Sequence, residues 1–74
     1  MSKFYVGQEL HDVEDVHALP TGTILVWGEP GDEDVAIVED YGSRRSVSNT
    51  AVYYMTEPYV INPPYRIVRL GLGT

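Results

Sequence analysis

The sequence predicts a mostly β fold: a small curled antiparallel sheet or an SH3-like barrel of four to five strands, with one short helical turn. Three observations predict it. Two runs rich in β-branched and aromatic residues, Thr23-Ile24-Leu25-Val26-Trp27 and Val35-Ala36-Ile37-Val38, flank a turn-forming stretch that contains Pro30-Gly31. Two later runs, residues 50–56 and 65–70, have the same strand chemistry. Helical spacing of apolar residues occurs only after Asp12.

Taken in order, Phe4-Tyr5-Val6 fits an opening strand or an equally acceptable packed arm, closed by Gly7. Asp12 is a good N-cap for the segment that follows it. In that segment Val13, Val16 and Leu19 recur at three-residue spacing, acids occupy the first turn and Pro20 ends the helix. Pro20-Thr21-Gly22 is turn chemistry, and the strand at residues 23–27 is apolar on both faces, which suggests a central position. Pro-Gly suits the middle of a type II turn, so residues 28–34 read as an acidic hairpin tip before the strand at 35–38. The polar stretch from Tyr41 to Asn49 reads as a loop before the strand at 50–56. Pro58, Pro63 and Pro64 argue against regular structure until the last strand at 65–70, and the tail from Gly71 has little to pack. Trp27, Ile24, Val26, Ile37, Val52 and Ile67 are expected to share one core.

The 74 residues suit one domain, residues 1–74, because so short a chain has little core to divide. Self-association would supplement its burial, so a homo-oligomer is one expectation. There is no Cys, hence neither disulfide framework nor thiolate metal site, and with no apolar leader at the N-terminus a cytoplasmic location is expected. The longest apolar run, Ile24 to Trp27, is far short of the roughly 20 residues that cross a bilayer. The net charge of −6 is uneven: residues 1–40 hold ten acids against Lys3, and residues 41–74 hold four Arg against Glu57. Affinity for nucleic acid comes largely from neutralising phosphates, so direct nucleic-acid binding is not expected of this composition.

His11 and His17 lie among Asp12, Glu14 and Asp15, yet His11 and His17 are six positions apart and do not share a helical face, which favours a charged outer surface over a metal site. A calcium loop begun at Asp32 would place Ile37 where Gly is required. Leu19-Pro20-Thr21-Gly22-Thr23 has Gly where a sortase signal has Thr. No Gly-x-Ser-x-Gly elbow and no phosphate-cradling Gly-rich loop occur. No catalytic residue, metal ligand or cofactor site is assigned, and the chain reads as a non-enzyme. The candidates are for partner binding: Glu29, Asp32, Glu33 and Asp34 as a negative patch for a basic partner, and Tyr53 and Tyr54, which point to opposite faces of a strand so that one of them is available to a neighbour. Arg44 and Arg45 are the only adjacent basic pair and suit pairing with acids of the first half, within the chain or across a dimer.

The acidic segment from Asp12, leading through Leu19-Pro20-Thr21-Gly22-Thr23 into an apolar strand, resembles small orphan proteins encoded by phages of actinobacteria. The likeness covers residues 12–27 and extends loosely to Val38. It implies a phage-encoded accessory protein acting in an infected bacterium and transfers no catalytic residue. The function expected from residues and resemblance together is a non-enzymatic accessory protein that binds a host or phage protein through an acidic, tyrosine-bearing surface. The alternatives are a self-assembling, virion-type component and an acidic mimic of nucleic acid that occupies a DNA-binding protein.

Overall fold

The computed structural model describes residues 3–41, 44–49 and 54–72, with Tyr41 and Tyr54 described by their backbone only. Six strands form one antiparallel sheet: β1 (Glu9–Leu10), β2 (Ile24–Trp27), β3 (Asp34–Tyr41), β4 (Arg44–Asn49), β5 (Tyr54–Thr56) and β6 (Tyr65–Arg69). Their order in the sheet is β1-β6-β2-β3-β4-β5, so the sheet is open, with the short β1 and β5 at its edges. Of the two expected architectures this is the small sheet. β2 has the central position expected of it, between β6 and β3.

Helix α1 (Val13–Ala18) starts where the sequence places it: Asp12 is the N-cap, and its Oδ1 accepts from the Glu14 N–H at 3.0 Å. Val16 and Leu19 are buried. The Pro-Gly turn has the expected form, with the Asp32 N–H donating to the Glu29 carbonyl at 2.9 Å and Gly31 at φ +88°, which suits a type II turn. Among the described residues no helix is long and apolar enough to cross a membrane.

One face of the sheet is buried. Leu25 opposes Ala36 on one side and Ile67 on the other, Val38 opposes Val47, and Tyr65 opposes both Leu10 and Trp27. These residues, with Val16 and Leu19 of the α1 segment, Phe4 and Ile61, form the core, and Trp27 and Leu70 pack against it half-buried. Burial, and then the nearby Asp12 carboxylate, hold the Tyr65 phenol above its ordinary pKa, and its hydroxyl donates to the Ile61 carbonyl at 2.8 Å.

Several expectations are corrected. Ile24 and Val26 lie half-buried on the opposite face from the core, and Ile37 is 36% exposed there, paired with Ile24, as Val35 is with Val26. A strand that is apolar on both sides has no parity signal. The inward set was decided by the face that α1 and the turn at residues 58–60 cover. Phe4-Tyr5-Val6 is an arm, with Phe4 buried and Tyr5 and Val6 exposed; the first strand is the Glu9–Leu10 pairing with β6. The polar segment read as a loop holds the end of β3 and all of β4. Its backbone is satisfied by ladders to β3 and β5, while Val47 and Asn49 bury inward. Residues 50–53, including Val52, lie outside the described residues, and the strand that follows is Tyr54–Thr56. Pro58–Val60 forms a single 3-10 turn with Pro58 at its start, where a missing N–H costs nothing.

The Gly71 segment, expected to pack little, is wedged against the Pro20-Thr21-Gly22 turn. The Gly71 N–H donates to Thr23 Oγ1 at 3.0 Å, and a Cβ at Gly71 would collide with the Thr21 carbonyl and the Gly22 backbone.

Two outcomes follow. Leu25→Ala is expected to cost about 2–5 kcal/mol and Ile37→Ala clearly less, read as the difference in urea midpoints. Gly71→Ala is expected to lower the melting temperature although it lies on no strand or helix; an unchanged melting temperature would remove the Gly71 contact as a constraint.

Candidate functional site

The Trp27↔Tyr65 register brings the end of β2 against the start of β6, and the Gly28 N–H donates to the Pro64 carbonyl at 3.2 Å. That bond sets the proline segment beside the acidic hairpin. Gly28 sits at φ +100°, a conformation that favours glycine and turns the chain out of β2. Between the two segments lies a cleft of about 490 Å³ lined by Trp27, Gly28, Glu29, Asp32, Asp34, Asn62 and Pro63.

The predicted acidic residues divide around it. Glu29, Asp32 and Asp34 line the cleft, and Asp34 Oδ1 also accepts from the Val35 N–H at 2.9 Å. Glu33 stands apart, with Oε2 3.9 Å from Arg66 Nη2. Both partners are substantially exposed, so this pair adds little to stability but partly offsets the Glu33 charge. Of the predicted tyrosines, Tyr53 lies outside the described residues, and Tyr54 is described only as the backbone partner of Asn49. The tyrosines with described, exposed side chains are Tyr5 and Tyr59.

Trp27 Nε1 is sealed from solvent and has no hydrogen-bond partner. A buried donor left this way costs about 1–3 kcal/mol, and a buried indole N–H ordinarily finds an acceptor. Trp27 both packs against the core and lines the cleft. Asn62 and Pro63 escaped the sequence reading because nothing local connects them with a hairpin about thirty residues away. The Asn62-Pro63-Pro64 run before a strand was the one available signal.

Several other charged residues have local partners. Arg45 Nε lies 3.2 Å from Asp40 Oδ1 and its Nη1 donates to the Leu19 carbonyl at 2.8 Å, an intrachain pairing with the acidic half. Arg44 stands 3.7 Å from Glu57. These two arginines, His17 and Glu57 line a second cleft of about 380 Å³. His11 Nε2 is 2.9 Å from Glu9 Oε1 on an exposed surface, and among the described residues no three His, Asp or Glu side chains converge as a metal site would require.

No protein family, curated protein or solved structure matches the chain.

Because Trp27 is only half-buried, Trp27→Ala is expected to cost about 3 kcal/mol, the low end for an aromatic truncation. Trp27→Phe keeps a ring and removes an unpartnered donor, so it is expected to cost less than about 1 kcal/mol. Equal losses in the two variants, measured by chemical denaturation, would mean that the indole nitrogen has a partner in solution.

Proposed function

We propose that this chain is a non-enzymatic binding protein that engages a basic region of a host or phage protein through the acidic hairpin between β2 and β3. The observation that carries the reading is the convergence on one cleft of Trp27, three carboxylates from the hairpin, and Asn62 and Pro63 from a distant segment. Like charges crowded at a turn do nothing for folding, and an aromatic residue beside them adds the kind of contact that dominates protein interfaces. Action in the cytoplasm of an infected bacterium belongs to the same proposal, supported by the absence of Cys and by the resemblance carried by residues 12–27.

A self-assembling component is the second reading, supported by the outer face of the sheet. There Val35 and Ile37 are 40% and 36% exposed, beside the half-buried Ile24 and Val26 and close to Val68 at 47%. The row has few exposed side chains, which places this reading second.

The test changes Asp32, Glu33 and Asp34 together to Asn, Gln and Asn, in affinity capture from a bacterial lysate followed by association kinetics with the captured protein. The expected outcome is slower association at low salt, a difference that fades as the screening length falls from about 10 Å at 0.1 M towards about 3 Å at 1 M, with thermal stability unchanged or slightly raised. Unchanged association kinetics would retire the hairpin as a docking site. A mass that rises with protein concentration, with no partner captured, would favour self-assembly.

A further inference from the structure

The strand register fixes which side chains share the outer face of the sheet, the face that α1 does not cover. Ile24 pairs with Ile37 and with Arg69, and Val26 pairs with Val35 and with Arg66. Residues opposite one another in an antiparallel ladder project to the same side, so these six stand together. Glu39, two positions beyond Ile37, joins them at the end of β3. The face therefore has an apolar centre on β2 and β3, arginines along β6 on one side of it, and a glutamate at the far corner. Val35, Ile37 and the neighbouring Val68 are 40%, 36% and 47% exposed, although each is a large apolar side chain.

The charges around that centre are unequally satisfied. Arg66 meets Glu33 at 3.9 Å. Arg69 and Glu39 take part in none of the ion pairs among the described residues, and they stand two strands apart on their own sheet. An unpaired cation and an unpaired anion on opposite sides of one apolar patch make a surface that is complementary to itself.

We propose that this face is covered by a second copy of the same chain, related to the first by a two-fold axis that runs along β2. That rotation lays β6 of one copy over β3 of the other. Arg69 of one copy then lies above Ile37 of the other, and Glu39 is only two residues further along that strand. Two residues of a strand are about 7 Å, which the long arginine side chain can span across sheets packed about 10 Å apart. By symmetry the contact occurs twice, so one unpaired pair in the monomer becomes two ion pairs in the dimer. Ile24 and Val26, on the axis, pack against their own counterparts, and Val35 is covered by the stem of Arg66.

The net charge of −6 on each copy opposes the approach. The crowded acids of the β2–β3 turn and of α1 lie off this face, and at 0.15 M salt a charge is felt over only about 8 Å, so the local pairs outweigh the distant acids at contact. The same rotation leaves both acidic hairpins at one end of the dimer. Their mutual repulsion keeps the association weak, and together they offer a basic partner two copies of one docking element. A contact of this kind is closed and isologous, and so goes beyond both readings above: it requires no open assembly and does not use the Trp27 cleft.

The test is sedimentation velocity of the full chain at 0.15 M salt over a range of concentrations. The expected result is a monomer–dimer equilibrium with a dissociation constant on the order of 10–100 µM, suited to a small, partly polar contact. Glu39→Arg and Arg69→Glu should each weaken it at least about tenfold, because each places like charges together twice. An equimolar mixture of these two variants should restore association, since opposite charges meet at both contacts of the mixed dimer. Ile37→Lys should abolish it. Thermal unfolding of each variant at dilute concentration establishes that it is folded, and rescue in the mixture cannot arise from misfolded chains.

A chain that stays monomeric to about 1 mM would overturn the proposal and leave the face bare or for another protein. So would a dimer that Ile37→Lys or the charge reversals leave intact, or two weakened variants that fail to restore one another. The outcome is separable from that of the docking reading. Loss of the dimer in Ile37→Lys with association to a captured protein still salt-dependent would support the seam and leave docking standing. A monomeric chain whose hairpin variant slows capture would sink the dimer alone.

Discussion

The turn from Leu19 to Thr23 is the constraint on which the rest of the structure depends, because five segments of the chain satisfy their polar groups there. The Leu19 carbonyl, just beyond α1, accepts from Arg45 of β4. The Pro20 carbonyl accepts from both the N–H and the hydroxyl of Thr23, at 3.1 and 2.7 Å. The Thr21 hydroxyl donates to Asp40 of β3 at 2.7 Å, and that carboxylate also pairs with Arg45. The Gly22 N–H donates to the Val38 carbonyl at 2.7 Å, and Gly71 closes the turn from the other side through Thr23 Oγ1. Thr23 is fully buried, so its hydroxyl must be paired inside the protein, and it makes bonds in both directions. Helix, hairpin, β4 and the C-terminal segment are thereby tied to one another by directional bonds, and hydrophobic burial alone would leave their relative placement less defined.

This arrangement explains how so few residues form a core. α1 and the 3-10 turn touch each other and cover one face of the sheet, contributing Val16 and Ile61. The other face is left with Ile24, Val26, Val35 and Ile37, an apolar row in the middle of an antiparallel sheet where polar residues are usual. The irregularity in the β2–β6 pairing leaves Val68 without a partner in the ladder at the edge of that row.

The cleft lies at the end of the sheet distant from the Leu19–Thr23 turn, where β2 gives way to the hairpin. Two constraints hold it open: the Gly28–Pro64 bond brings the proline segment to the hairpin, and the type II turn holds the acids on a short arc. Trp27 is the link between fold and site, since the ring that packs on the core also forms part of the cleft lining.

The local signals were strong enough for the sequence by itself to determine the capped helix after Asp12, the Pro-Gly turn, the central strand through Trp27 and the acidic hairpin. Each depends on residues only a few positions apart, where backbone preference and side-chain chemistry agree. The sequence also marked Glu29, Asp32, Glu33 and Asp34, because charge crowding is visible in one dimension, but not that Glu33 would stand outside the cleft. The inward face of β2 was not legible, since Ile24, Leu25, Val26 and Trp27 are all apolar and only the elements that cover the sheet choose between them. β4 was hidden by its polar composition and exists because β3 and β5 supply its ladders. Asn62 and Pro63 join the site through the register of β6 on β2, a pairing across nearly forty residues of sequence that no local pattern encodes. The tertiary structure alone decided which acids meet the tryptophan, because proximity in a sheet is set by strand register and not by distance along the chain.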